Sequence, residues 1–385
     1  MKETFLQVTG VMTMHYQDFV SVGIRQLHPY VPGKPVEELA REKGLKDIIK
    51  LASNENPLGC SLLAQQALAD LSVTQIAQYP SALNHPLYKS LAQQLGIAPQ
   101  QLFLSSGSDY IFWFLLTLFG LRHPQRRVLT HQYAFITYAI QAQTLGVPLL
   151  ITPVDAAFRV DIDAMIAACN EQDVALIFIA NPNNPTGISI NEDQIRKLLQ
   201  SIPASTILVL DEAYYEYAYP EGNPYSFELQ AQYRNLVITR TFSKIYGLAA
   251  VRLGYAIADP EIIELLWRIQ LPFTVSNLAL DAGLAAFGDD RFYQSSLTVN
   301  QEGKAQLLAG FQHLQLSSMP SHANFLTVHF GKQASSVYSA LLDHGIIVRP
   351  LTPYHLDDYL RITVGTKQQN IRLLQALETI MERVV

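Results

Sequence analysis

Charge is what this 385-residue chain has least of: Asp, Glu, Lys and Arg make up 16% of it, against the roughly one quarter usual in soluble domains. Scarce charge means more hidden surface, whether in a large core or in a contact between subunits. No cluster of Lys or Arg occurs and the net charge is −6, which argues against nucleic acid or an anionic membrane as the main partner and leaves small molecules. There are only two cysteines, Cys60 and Cys169, with no Cys or His beside them at metal-ligand spacing, so they read as structural thiols and no metal is expected. The most apolar run, residues 111–119, is too short to cross a bilayer and reads as a buried helix. The N-terminal region lacks the apolar stretch of a signal peptide, so the expected compartment is the cytoplasm. Repeats, low-complexity tracts and long linkers are also missing.

What the chain does have is an apolar share of 49% and length enough for two or three domains. From about residue 48 to 257, seven β-branched runs (102–104, 127–130, 149–154, 174–180, 207–210, 236–239, 253–258) alternate with helical patterns such as 134–145 and 191–200. This alternation predicts an α/β domain: a mostly parallel seven-stranded sheet with helices on both faces, binding ligands at the carboxyl ends of its strands. After Pro260 helical patterns (261–269, 278–287, and a long one to about 316) lead into short strands at 325–328, 346–348 and 360–364, with a helix over 334–344 and another closing the chain. They predict a smaller α+β domain. The expected division is an N-terminal arm with part of the small domain over 1–47, a large domain over 48–270 and a small domain over 271–385.

Chemistry concentrates where the strands end. Thr241-Phe242-Ser243-Lys244-Ile245-Tyr246-Gly247-Leu248 follows one run, with Arg252 eight positions past the lysine. A lysine among small and apolar neighbours loses its charge to desolvation and becomes a nucleophilic amine suited to Schiff-base chemistry. Thr241, Ser243 and Arg252 supply donors for a phosphate beside it. Another run ends in Asp211-Glu212-Ala213-Tyr214. A buried carboxylate at Asp211 would keep a pyridine nitrogen protonated, as an electron sink requires, and Tyr214 would donate to the ring hydroxyl. Alone, an Asp-Glu pair after a strand serves equally as a helix cap or a metal ligand.

Asn181-Pro182-Asn183-Asn184-Pro185-Thr186-Gly187 is a turn frozen by two prolines, and Asn184 reads as the second partner of that ring hydroxyl. Ser105-Ser106-Gly107-Ser108-Asp109 stands before an apolar helix, where free N–H groups and the positive dipole end suit a phosphate. Gly107 has no partner glycines, which excludes a dinucleotide fingerprint. Tyr133 would either stack on the pyridine face or fill the core. Arg349 and Arg361 lie on or beside two strands of the small domain. An arginine within Leu360-Arg361-Ile362 is costly to bury unless it meets an anion, so the pair predicts an acidic substrate.

Taken together, Asn-Pro-x-Asn-Pro-Thr-Gly, Asp-Glu-Ala-Tyr, Thr-Phe-Ser-Lys, Arg252 and Arg361 resemble the fold-type I pyridoxal-phosphate aminotransferases. Further segments are similar to the histidinol-phosphate aminotransferase family: Leu27-His28-Pro29-Tyr30, Pro32-Gly33-Lys34-Pro35, Ser53-Asn54-Glu55-Asn56-Pro57-Leu58-Gly59, Gln78-Tyr79-Pro80, and Val348-Arg349 ahead of Leu360-Arg361-Ile362-Thr363-Val364-Gly365. The resemblance covers nearly the whole chain. It implies that Lys244 joins pyridoxal 5'-phosphate as an imine, Asp211 pairs the ring nitrogen, Tyr214 and Asn184 hold the ring oxygen, and Tyr133 stacks. It places Ser108, Asp109, Ser243 and Arg252 around the cofactor phosphate, with Tyr79 from a partner subunit. Arg349 and Arg361 would grip the substrate phosphate, and Tyr30 from the partner's arm would close over it. Tyr110, His131-Gln132 and Ile245 depart from the family pattern, and altered pocket walls change which side chain fits.

The activity so implied is transamination between histidinol phosphate and 2-oxoglutarate, in histidine biosynthesis, by a homodimer with shared sites. The rival readings are an aromatic amino-acid aminotransferase, a threonine-phosphate decarboxylase, and a cofactor-binding regulator that kept the fold without catalysis.

Overall fold

A computed structural model describes residues 16–27, 33–222 and 225–384. The first strand, β1 (Ile49–Lys50), is followed by the seven that build the main sheet: β2 (Leu102–Ser105), β3 (Arg127–His131), β4 (Leu149–Thr152), β5 (Val174–Ala180), β6 (Ile207–Asp211), β7 (Leu236–Thr241) and β8 (Gly254–Ile257). They lie in the order β2-β8-β7-β6-β5-β3-β4. The pairings of β7 with β6, β6 with β5, β5 with β3 and β3 with β4 are parallel, whereas β8 runs antiparallel to both neighbours. Every residue of β5, β6 and β7 is buried. That is why these strands read as continuous apolar runs, since a sheet covered on both faces has no polar side to alternate with.

Two hydrophobic clusters pack against the two faces of this sheet, one around Phe103, Phe112 and Tyr138, the other around Leu104, Ile177 and Leu210. The helices that supply them start where short polar side chains satisfy their free N–H groups. Asn191 caps the helix Glu192–Ser201 in a reciprocal capping box with Gln194, and Ser276 caps Asn277–Phe287. The apolar run 111–119 is helical, as its composition predicts, though its α-helix (Ser108–Leu115) passes into a π-helical turn over Leu116–Gly120.

The small domain carries β9 (Ser317–Ser318), β10 (Phe325–His329), β11 (Ile346–Ile347), β12 (Arg349–Pro350) and β13 (Tyr359–Thr363). The single strand expected over 346–348 is in fact two. β11 pairs in parallel with β1, while β12 joins the antiparallel sheet β12-β13-β10-β9. A two-residue pairing such as β1 with β11 carries too few side chains to leave a periodic signal. Leu51 accordingly packs in the small-domain cluster with Leu326 and Ile362, and Leu39 of the helix Val36–Lys43 packs with Ala52 and Ile347. Val275, Ala279, Leu280 and Ala286 instead pack in the cluster of the main sheet. Among the described residues no helix is long and apolar enough to cross a membrane.

Candidate active site

Parallel register sets the frame. Asp211 at the end of β6 stands beside Ala180 of β5 and Thr239 of β7, so three strand ends open on one place, the carboxyl edge where an α/β sheet binds its ligands. The small sheet closes that place from the other side. The result is a cleft of about 210 Å³ bounded by Asp211, Tyr214, Lys244 and Arg252 of the large domain and by Arg349 and Arg361 of the small one.

Lys244 follows β7 in a buried turn. Its Nζ donates to the Ser53 carbonyl (3.3 Å) and lies 5.6 Å from the centre of the Tyr214 ring. Burial lowers its pKa to about 8; Arg361 and, more weakly, Arg252 push the same way, against Glu55 and Asp109. An amine with that pKa gives up its proton far more readily than an ordinary lysine, which makes the nucleophilic form accessible.

Asp211 is 4% exposed. Its Oδ2 accepts from the Tyr138 hydroxyl at 2.6 Å and its Oδ1 from Thr239 at 3.3 Å. Burial raises its pKa to about 6, with a smaller push from Asp109, while hydrogen bonds from Tyr138, Thr239 and the Ala213 backbone hold it down. Tyr214 accepts from Asn54 Nδ2 at 2.8 Å, and burial raises its phenol pKa. Asn54 sits at φ 55°, fixed by hydrogen bonds to Thr363 and by Asn324 Nδ2 on its carbonyl.

The helix Ser108–Leu115 begins at the rim of the cleft, preceded by Gly107 at φ 81° with no side-chain cap. Its first N–H groups are thus open to an anion. Arg252 Nη1 donates to Ser243 Oγ (3.3 Å) and to the Ala249 carbonyl (3.1 Å), and Nη2 lies 3.5 Å from Asp109. Gly107 holds a φ that L side chains rarely adopt, and a Cβ there would stand 2.5 Å from Arg252 Nη2, so glycine is the residue this cradle favours. Burial raises the Asp109 pKa, opposed by Arg252 and Lys244.

On the opposite wall, β12 and β13 place Arg349 directly across from Arg361. Arg361 is 7% exposed; its Nη1 donates to Asn184 Oδ1 (2.5 Å), its Nη2 to the Ala52 carbonyl (2.6 Å), and its guanidinium lies 5.3 Å from the Phe325 ring. Two facing guanidiniums form a site for a doubly charged or bidentate anion. Together these groups fit a ring that carries a phosphate at the Gly107 cradle, a basic nitrogen at Asp211 and an aldehyde at Lys244.

The cleft therefore gathers Ser108, Asp109, Asn184, Asp211, Tyr214, Ser243, Lys244, Arg252, Arg349 and Arg361. Three expected residues lie elsewhere. Tyr133, at φ 61°, is not among the residues that line the cleft; its ring lies 5.6 Å from Phe158 and packs with Leu351, Tyr354 and Leu356, of which Tyr354 does line it. Phe135, two residues on, lines the cleft in its place. Tyr79 is 81% exposed and stacks on Phe273 at 4.3 Å, off the cleft of its own chain. Tyr30 lies outside the described residues. Asn184 faces Arg361, so its amide oxygen is engaged on the substrate side. Tyr110, His131 and Ile245, the departures from the family pattern, do not line the cleft.

Sequence reasoning missed Asn54, Phe135, Tyr138 and Tyr354. Asn54 stands in a quoted motif and could have been singled out there. Tyr138 and Tyr354 carry no local signal, because what they touch is far away along the chain.

The model of the family described as aminotransferase class I and II matches residues 46–377. Histidinol-phosphate aminotransferase 2 of Legionella pneumophila (strain Lens) is 54% identical over 367 residues, covering 95% of this chain and 99% of that one. Histidinol-phosphate aminotransferase 1 of Nitrosococcus oceani is 43% identical over 370 residues, covering 96% and 98%. The crystal structure of histidinol-phosphate aminotransferase from Sinorhizobium meliloti in complex with pyridoxal-5'-phosphate superposes with a TM-score of 0.86 at 27% identity, over 95% of this chain and 98% of that one. With a buried lysine, a strand-end carboxylate and a guanidinium pair disposed as described, and with these relatives, the chain belongs to the class I and II aminotransferases, among the histidinol-phosphate aminotransferases.

Proposed function

We propose that this chain moves an amino group between histidinol phosphate and 2-oxoglutarate, using pyridoxal phosphate. The observation that carries the reading is the meeting in one cleft of a neutralisable amine, a carboxylate whose partners are hydroxyls, and two facing arginines. When bound, the cofactor supplies an electron sink for the charge that develops at the substrate's Cα. Asp211 holds its ring nitrogen protonated, and Tyr214, oriented by Asn54, fixes its ring oxygen together with Asn184. Ser108, Ser243, Arg252 and the N–H groups that open the helix Ser108–Leu115 hold its phosphate. Lys244 would hold the aldehyde carbon, and its Nζ, freed when the substrate's own amine takes its place there, would carry the proton away from the substrate's Cα.

Arg349 and Arg361 bind the substrate phosphate and, in the reverse half-reaction, the α-carboxylate of glutamate. One anion site thereby serves both substrates. Tyr79 and the Phe273 ring it stacks on are exposed, as are Leu62, Val73 and Ile76, and a second copy of the chain covering Tyr79 would bring it to the partner's cofactor phosphate. In that homodimer Tyr30 would close over the substrate, and the enzyme would work in the cytoplasm.

Rates with histidinol phosphate, phenylalanine and threonine phosphate test the reading. We expect kcat/KM on histidinol phosphate to exceed that on phenylalanine by roughly 100-fold or more, the worth of pairing a dianion with two guanidiniums. A preference for phenylalanine overturns the assignment in favour of an aromatic aminotransferase, and release of carbon dioxide from threonine phosphate does so in favour of a decarboxylase.

A further inference from the structure

Tyr138 reaches the cleft only through another residue. It lies on the helix Ile136–Leu145, is fully buried, and stacks on Phe178 with ring centroids 4.9 Å apart and planes 16° from parallel. Phe112 and Phe135 meet it edge-on at 5.1 and 5.6 Å. Rings on three sides hold the phenol in one orientation, so its hydroxyl is aimed at one point. That point is Asp211 Oδ2, at 2.6 Å. An O–H···O distance this short is in the range of a donor meeting an ionised acceptor and is shorter than the usual neutral bond.

The need for such a donor follows from the surroundings of Asp211. The carboxylate is buried, the charge of Asp109 opposes its ionisation, and among the described residues it meets neutral donors, two hydroxyls and the Ala213 backbone N–H, where its neighbour Glu212 meets a guanidinium. Thr239 offers only a longer bond of 3.3 Å. The proton cannot pass the other way, because burial and the adjacent carboxylate hold the Tyr138 phenol far above its ordinary pKa. Tyr138 therefore remains a donor at any working pH.

We propose that Tyr138 is a positioning residue that keeps Asp211 ionised and aimed into the cleft, so that the ring nitrogen of the bound cofactor stays protonated. The inference rests on the cofactor reading given above. Phe135 adds a mechanical link, because it lines the cleft and packs edge-on against Tyr138 at the same time. Occupancy of the cleft and the aim of the phenol are thus coupled through one ring.

The test compares the wild-type holoenzyme with Tyr138→Phe, Asp211→Asn and the double variant, each loaded with pyridoxal phosphate carrying nitrogen-15 in its ring. Cofactor affinity is titrated on the cofactor-free forms, and their melting reports folding. Tyr138→Phe keeps the stacking ring. It is expected to weaken cofactor binding by roughly 10- to 100-fold, the worth of one hydrogen bond to a charged group, and to move the nitrogen-15 shift toward the unprotonated ring. In the Asp211→Asn background the same substitution should change neither quantity further, since the two residues act as a unit. Incorporation of 3-fluorotyrosine at 138, which preserves ring and hydroxyl, should restore both.

A fully protonated ring and wild-type affinity in Tyr138→Phe overturn the inference. So does an equal loss in both backgrounds, which would mark Tyr138 as a packing residue only. Should wild-type protein fail to bind pyridoxal phosphate at all, the cofactor reading falls instead, and the two failures are told apart by that first titration.

Discussion

Asp211 and Glu212 are consecutive carboxylates at the end of one strand, and they face opposite sides of the sheet, as alternation along a strand requires. Glu212 is fully buried against Arg240, whose Nε and Nη2 lie 2.9 and 2.8 Å away, with Ser226 and Tyr225 adding weaker bonds at 3.3 and 3.4 Å. Arg240 in turn is capped by the Tyr215 ring, 3.5 Å from its guanidinium carbon. Asp211 has the hydroxyls of Tyr138 and Thr239. The lesson is one of charge balance. A buried carboxylate already matched by an arginine ties elements together, whereas one held ionised by neutral donors keeps its charge for a cation that arrives later.

Loss of the reacting amine gives the largest effect on the Asp211 side: Lys244→Ala should lower kcat by roughly 10⁴-fold and abolish the borohydride-sensitive visible absorbance of the cofactor-loaded protein. Asp211→Asn, which removes the charge and keeps the shape, should cost roughly 10³-fold in kcat while melting within a few degrees of wild type. Glu212→Gln should do the reverse, destabilising by about 3 kcal/mol or more through the orphaned Arg240 while leaving the turnover of the folded fraction within about threefold. If Glu212→Gln proves the more damaging to kcat and Asp211→Asn the more damaging to stability in denaturant titrations, the comparison is wrong.

On the substrate wall, Arg361→Lys keeps the charge and loses the fork that reaches Asn184 and Ala52. We expect KM for the phosphate substrate to rise roughly 10- to 100-fold with a smaller change in kcat, measured by steady-state kinetics.

The pH dependence of the cofactor-free protein sharpens the same contrast. The Lys244 pKa is lowered from 10.5 to about 8, so between those values the unfolded chain binds a proton that the folded one does not. Stability therefore rises with pH across that window, and the penalty for burying the charge is full below it. Lys244→Met should remove this rise and stabilise the cofactor-free protein at pH 7 by about 2 kcal/mol. Asp211 behaves oppositely. Its pKa is raised from 3.8 to about 6, so stability falls as pH climbs through that interval, and Asp211→Asn should flatten the fall in melts recorded across it. Smallest of all, Tyr79→Phe should raise the cofactor dissociation constant only a few-fold. A mixture of that variant with Lys244→Ala should recover activity by subunit exchange if sites are shared.

Much of this was legible before any coordinates. The seven runs between 102 and 258 became the seven strands of the main sheet, with ends displaced by at most two residues, because a strand buried on both faces must be apolar throughout. Lys244 and Asp211 stood out because each lies at or just past a recognisable strand end, and Arg252 because it stands eight positions past the lysine. The positive φ of Tyr133 and its packing against Phe158 left no mark in composition. The strand expected over 346–348 ends at Ile347 and a separate strand begins at Arg349, a division hidden because the partners that impose it, β1 and β13, are distant in sequence or belong to another sheet.

By itself the sequence determined the strand and helix pattern, the turn chemistry at the strand ends and the type of reactive group each end presents, because periodicity, capping and backbone restriction act over a few residues. Tertiary structure alone decided that Tyr138 meets Asp211 across 73 positions, that Arg361 meets Asn184 across 177, and that Glu212 rather than Asp211 is matched by Arg240. Ionisation and aim depend on who packs against whom, and packing partners are chosen by the whole fold.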